Sequence, residues 1–363
     1  MGIRKKFIIL ATIISLYMTI FLSGCITPTG GHVDYVLISY DGSKLISYTR
    51  ANPGHDIIVW NITSGEEILK LSKDARDFSF SISYDGSFIG FYDDAFKNSC
   101  YRIYNTSSGI NVINFSTSFL ELLLGSNYLI VHYTENNTIE MWDYFNFTKI
   151  RNITLNETFY KDSLSLFDNK IFYVLANGTL SVFDIYSENK TILNDVDLND
   201  TISSSNVYWP NNGKEIGLAY PYDPGDISNH TYRIIKWSLE NNSILSDNFL
   251  SVPNHEWPTF SPDLKKYAYT IYDSSLKKSI FKIYNLSDNK LLYSSQGSPS
   301  VSWSGGGNLI AFGTSGNINV LNINSGEIIQ TLYTPKYEFV PGFELILMVI
   351  AFVLVLFLQR KKI

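Results

Sequence analysis

The chain has 363 residues, a formal net charge of −6 and only 17% charged residues. With no basic block, that balance argues against nucleic-acid binding. Two cysteines leave no disulfide framework, and about 300 residues between the termini can bury a core without one.

In chain order, the first element is a targeting segment over residues 1–25. Arg4, Lys5 and Lys6 precede an uncharged apolar run from Phe7 to Leu22, closed by Ser23-Gly24-Cys25. Charged, apolar and small-residue stretches in that order make a secretory signal. Leu22-Ser-Gly-Cys25 resembles the lipobox of lipoproteins, which implies lipid attachment at Cys25; an ordinary signal peptide is the alternative. Cys100 is then left without a disulfide partner.

Residues 26–333 hold one phrase seven times over. A turn of Asp, Asn or Gly precedes an apolar strand: Asp41-Gly42, Asp85-Gly86, Gly125-Ser126, Asp168-Asn169, Asn212-Gly213, Asp263-Leu264 and Gly306-Gly307. An aromatic or apolar residue and a small polar one close the next strand: Trp60-Asn61, Tyr104-Asn105, Trp142-Asp143, Phe183-Asp184, Trp237-Ser238, Tyr284-Asn285 and Leu321-Asn322. The period of roughly 44 residues is the length of a four-stranded propeller blade.

Within each unit, short β-branched and aromatic runs alternate with Gly, Asn and Ser turns, as in Ser300–Trp303, Leu309–Phe312, Ile318–Leu321 and Ile328–Leu332. Such runs are hairpin signals. No stretch between Cys25 and Tyr333 sustains helical periodicity, so the domain is expected to be all-β. Radially stacked sheets bury both faces of every blade. A seven-bladed β-propeller is the expected fold, with six or eight blades as alternatives. The fifth unit is longest, with an insertion around Tyr220 to Thr231.

Asp41-Gly-Ser-Lys-Leu-Ile-Ser47 followed by Ile57-Ile-Val-Trp-Asn-Ile-Thr-Ser-Gly-Glu66 resembles a WD40-type repeat. A true Trp-Asp occurs only at Trp142-Asp143, so the family's side-chain network is not implied. YVTN-type and quinoprotein-type propellers are the rival resemblances.

Residues 334–342 form a short linker ending in Pro341-Gly342, and Phe343 opens the last apolar segment. Pro341-Gly342-Phe343, the apolar run Leu345–Leu358 and the basic Arg360-Lys361-Lys362 resemble the archaeal PGF-type sorting signal. That resemblance implies processing and lipid exchange; a plain C-terminal anchor is the alternative. Residues 343–358 are expected to be a transmembrane helix of about 24 Å, short for a bilayer, and 359–363 a cytoplasmic tail. The propeller is therefore expected on the extracellular face of an archaeal cell membrane.

Thirteen Asn-x-Ser/Thr acceptors occur, where chance supplies roughly five. Six of them, Asn61, Asn105, Asn146, Asn189, Asn241 and Asn285, are expected at the turns between third and fourth strands, all on one face of the ring. Both ends should leave by the opposite face on leashes of at most ~28 Å, which holds that face close to the membrane. On it, the sector of blades six, seven and one carries no acceptor. That sector offers Arg50, His55, His255, Trp257, Lys277 and Lys278 as binding candidates.

The five histidines never fall at metal-ligand spacing. No Gly-x-Ser-x-Gly elbow or phosphate-cradling loop occurs, and Asp195 to Asn206 lacks the Gly and Glu of a calcium loop. No catalytic residue, metal or cofactor is assigned. The expected function is a membrane-anchored, non-enzymatic scaffold binding a protein, glycan or envelope component. The alternative is a propeller enzyme, such as a quinoprotein-like oxidoreductase, hydrolase or lyase, with a central site assembled from distant loops.

Overall fold

A computed structural model describes residues 32–334 except 52–53, 74–79, 94–99, 116–119, 125–127, 134–137, 155–156, 160–163, 194–205, 211–212, 223–228, 254–257, 298–299 and 315. The targeting segment with Cys25, the Pro341-Gly342-Phe343 motif and the run Leu345–Leu358 lie outside the described residues. Among those described, no helix is long and apolar enough to cross a membrane.

Seven four-stranded antiparallel sheets follow one another, each paired in simple chain order. Blade one is β1 (His32–Ile38), β2 (Lys44–Ala51), β3 (Gly54–Asn61) and β4 (Glu67–Lys73). Blade two is β5 (Phe80–Ile82), β6 (Phe88–Asp93), β7 (Cys100–Asn105) and β8 (Asn111–Phe115). Blade three is β9 (Leu120–Leu124), β10 (Tyr128–Tyr133), β11 (Thr138–Asp143) and β12 (Lys149–Thr154). Blade four is β13 (Ser165–Phe167), β14 (Lys170–Val174), β15 (Leu180–Asp184) and β16 (Lys190–Leu193). Blade five is β17 (Asn206–Tyr208), β18 (Glu215–Pro221), β19 (Asn229–Ser238) and β20 (Ser243–Pro253). Blade six is β21 (Thr259–Phe260), β22 (Lys266–Asp273), β23 (Lys278–Asn285) and β24 (Leu291–Gln296). Blade seven is β25 (Val301–Trp303), β26 (Leu309–Gly313), β27 (Asn317–Asn322) and β28 (Glu327–Tyr333).

The expected insertion in the fifth unit lengthens the β18–β19 hairpin, since Tyr220 and Pro221 end one strand and Asn229 opens the other.

The core is a ring of seams rather than one centre. Side chains alternate across a strand, so each strand serves both neighbouring blades. In β3, Ile58 and Trp60 pack with blade seven, whereas Ile57 and Val59 pack with blade two. The same division gives a buried cluster at every seam: blades two and three, three and four, four and five, five and six, and six and seven. Val33, Val36 and Ile38 of β1 meet Ala311, Ile318 and Val320 of blade seven, which closes the ring at seven.

That closure uses no exchanged strand, because β1 to β4 stay together and so do β25 to β28. First strands lie innermost, so backbone N–H groups on the inner edge of β1 have no ladder partner. Two of them find serines: Val36 N–H donates to Ser300 Oγ at 2.7 Å and Ile38 N–H to Ser302 Oγ at 3.0 Å, both buried. Gly305 N–H adds a bond to the Tyr40 carbonyl at 2.8 Å.

Trp60 Nε1 donates to Ser47 Oγ at 2.8 Å in a buried pair. Cys100 is a free thiol in β7.

Candidate functional site

One candidate site lies on the face carrying the turns between second and third strands. Both ends of the described chain reach this face. His32 pairs with Arg50 beside the β2–β3 turn, and Thr334 donates its N–H and hydroxyl to the Gly316 carbonyl in the β26–β27 turn.

In blade one, a register shift between Val33 and Tyr35 brings Tyr35 opposite Tyr48. The Tyr35 ring stacks on Phe80 of blade two at 5.4 Å between centroids. Phe80 leans on Tyr48 at 5.7 Å, and Tyr48 stacks on His55 at 5.2 Å. The result is an aromatic ladder crossing from an innermost strand to the β2–β3 turn. Tyr35 keeps 39% of its surface accessible, yet burial by surrounding protein raises its phenol pKa. Tyr48 is buried in the seam of blades one and two, with Phe80 packed against it, so the exposed Tyr35 ring is the face that can hold an apolar or cationic group, and His55 places an imidazole at the ladder's end.

The opposite end of the axis is blocked. Tyr40 follows β1 and stacks on Tyr84 of blade two at 4.8 Å. It also meets Phe167 of blade four at 5.7 Å, and Phe167 stacks on Trp209 of blade five at 5.5 Å. The Tyr40 hydroxyl donates to the Trp209 carbonyl at 3.1 Å, spanning blade one to blade five. Burial, with the neighbouring Tyr84, pushes the Tyr40 phenol well above its ordinary pKa. Tyr40 thus fills the axis at the end opposite the face that bears the ladder.

Of the binding candidates, Arg50 and His55 are register partners across β2 and β3. Lys277, at φ 51°, and Lys278 lie in the β22–β23 hairpin of blade six, with blade seven between them and blade one. His255 and Trp257 lie outside the described residues. The structure thus joins two of the six in one hairpin and sets two others apart. Sequence reasoning missed Tyr35, Tyr48 and Phe80, because Phe80 opens a strand of only three residues and the three rings meet only once blades one and two are side by side. No group of three or more potential metal ligands occurs among the described residues.

The six acceptor asparagines do fall at turns between third and fourth strands, which share one geometry. A polar cap residue closes the third strand, and the fifth position of the turn is left-handed. In blades one and two the cap is the acceptor itself: Asn61 Oδ1 takes the N–H groups of Thr63 and Ser64 at 2.9 and 3.0 Å, and Asn105 Oδ1 those of Ser107 and Ser108, both at 3.0 Å. Asn285 occupies the cap position in blade six and donates Nδ2 to Ser287 at 3.2 Å. In blades three and four Asp143 and Asp184 cap instead, leaving Asn146 and Asn189 exposed. In blade five Ser238 caps the N–H of Asn241. Of the remaining acceptors, Asn114 lies within the outer strand β8 rather than a loop.

Gly65, Gly109 and Gly326 hold the left-handed position at φ 75°, 67° and 71°, whereas blade four places Glu188 there at φ 57°. A side chain in that region costs roughly 1–2 kcal/mol, and the exposed ion pair of Glu188 with Arg151 returns little. Glu188→Gly is expected to raise stability by about 0.5–1 kcal/mol, read from urea denaturation.

The aspartate turns also set an acid response. Burial pushes the Asp184 carboxyl up, but hydrogen bonds from Ser187 and the Tyr186 N–H outweigh it and leave its pKa lowered. Asp85 behaves alike, burial being outweighed by Ser87 and Ser83. A carboxylate with a lowered folded pKa contributes stability above its unfolded value, near about 4, and loses it as pH falls through the folded value. Melting temperature is expected to drop on acidification from about pH 4, and Asp184→Asn, which keeps the acceptor oxygen, should flatten that drop.

No family model matches the chain, and no curated protein matches it. Solved structures do. Hsv2 of Kluyveromyces marxianus superimposes with a TM-score of 0.54 at 10% identity, over 84% of this chain and 99% of that one. The β-propeller domain of Cps50 (Swd1) from Myceliophthora thermophila gives 0.55 at 12% identity, over 80% and 97%. At such identities the likeness is one of fold: the chain is similar to these β-propellers, and its domain is a seven-bladed all-β ring.

Proposed function

We propose that the protein is a membrane-anchored β-propeller of the archaeal cell surface that binds a protein, glycan or envelope component without catalysing a reaction on it. One observation carries the binding role: a ladder of four aromatic rings, Tyr35, Phe80, Tyr48 and His55, on the face opposite the Tyr40 plug, with the Tyr35 ring exposed. A ring closed by seven apolar seams holds that ladder rigidly, and binding residues presented on such a frame lose little entropy on engagement. The WD40-type fold, widely used for protein interaction, supports the same reading.

Surface location rests on the sequence. Arg4-Lys5-Lys6 with its apolar run and Cys25 supports export and lipidation, Leu345–Leu358 with its basic tail supports an anchor, and thirteen acceptors support glycosylation.

Cross-linking in native membranes, followed by capture and mass spectrometry, tests the function. A stoichiometric partner linked through Lys277 or Lys278, and lost in Tyr35→Ala, is the expected result. Recovery of the same partner from Tyr35→Ala would remove the ladder from the site. A bound quinone or metal in the purified protein, with no partner captured, would replace the scaffold by a propeller enzyme.

A further inference from the structure

The acceptors differ in what stands beside them. Before Asn61 and Asn105 the ring is buried: Trp60 and Tyr104 belong to the core. Trp237, the ring nearest before Asn241, is buried as well. Blades three and four are different. Phe145 immediately precedes Asn146 and is 72% exposed; Tyr186 stands three residues before Asn189 and is 64% exposed. An aspartate has taken over the cap in both turns, so neither asparagine is needed to close its turn. An exposed ring in a tight turn gains little from the fold, and both turns place one within three residues of an acceptor amide that the cap does not use.

We propose that Asn146 and Asn189 carry N-linked sugars whose first pyranose ring rests its apolar C–H face on Phe145 and Tyr186, so that the glycan is part of the folded turn. The proposal rests on the surface reading above. The transfer belongs to a separate glycosyltransferase using a lipid-phosphate-linked sugar. The bond from the sugar's anomeric carbon to phosphate oxygen breaks, a bond to Asn Nδ2 forms, Nδ2 gives up one proton, and the lipid phosphate leaves. The ring then covers a C–H face that would otherwise contact water, which is the same desolvation that favours aromatic contacts in general.

The test uses full-length protein from native membranes and the same chain made in a bacterium without N-glycosylation. Glycopeptide mapping is expected to find sugar on Asn146 and Asn189. In native protein, Phe145→Ser and Asn146→Gln should each lower the melting temperature, and the double variant should fall no further than either alone. In unglycosylated protein Phe145→Ser should have a smaller effect, which measures its contact with Tyr144. Glycans elsewhere but none at Asn146 and Asn189 would overturn the proposal. Occupied sites with additive losses would overturn the stacking. Absence of glycan from all thirteen acceptors would instead remove the glycosylated-surface reading on which the proposal stands.

Discussion

Ser302→Ala is expected to cost about 1–3 kcal/mol, because it strands the Ile38 N–H inside the closing seam without an acceptor. Ser300→Ala should cost a similar amount through Val36. Both serines are nearly inaccessible, so water does not readily replace the lost oxygen. The apolar seam of β1 against blade seven remains in either variant, which makes the loss one of hydrogen bonding rather than packing. Ser300→Thr and Ser302→Thr keep the acceptor and should recover part of the stability. Urea denaturation of the purified chain reads these differences. An unchanged midpoint in both alanine variants would mean that the ring closes by apolar contact alone. The double variant is the stronger case: a ring without strand exchange has only one seam where its ends meet, and opening it exposes the apolar faces of blades one and seven together.

How much of this was legible depends on the distance along the chain over which each feature is made. Asp41-Gly42 and Asp85-Gly86 announce turns because the aspartate bonds within two residues and the glycine supplies a positive φ. Trp60-Asn61 announces the next turn because its asparagine caps locally while its indole enters the seam. Period-2 alternation in β3 then requires two packed neighbours. From such pieces the four-stranded unit and its number follow. The seam serines do not, since Ser300 and Val36 are 264 residues apart and nothing near either marks the bond. The aromatic ladder draws one ring from an innermost strand, one from the next blade and two from a hairpin, so it exists only once blades are placed side by side. Arg50 and His55 were readable as a pair because one hairpin holds both. Lys277 and Lys278 were grouped with them as part of one acceptor-free sector of blades six, seven and one, and the ring sets blade seven between them.

Gly305 bears on the blocked end of the axis in a way that a turn glycine would not. Its φ is not in the left-handed region, so backbone freedom does not require glycine there. Space does: a Cβ at this position would lie 2.3 Å from three carbons of the Tyr40 ring. Gly305→Ala is therefore expected to destabilise by about 1–3 kcal/mol through overpacking. Tyr40→Ala removes contacts with Tyr84 and Phe167 and the bond to Trp209, for a loss of about 3 kcal/mol. The two should not add. Once the ring is gone, the added methyl group has room, so the double variant should be no less stable than Tyr40→Ala alone. Tyr40→Phe separates the remaining contributions: it keeps the ring, and with it the clash that Gly305→Ala introduces, but loses the hydroxyl, costing about 1 kcal/mol. Denaturation of the four variants decides the matter. Additive losses would mean that Gly305 serves its own turn, and that the Tyr40 ring does not fill the space against blade seven. Non-additive losses would establish that one ring, held by blades one, two, four, five and seven, fixes this end of the axis.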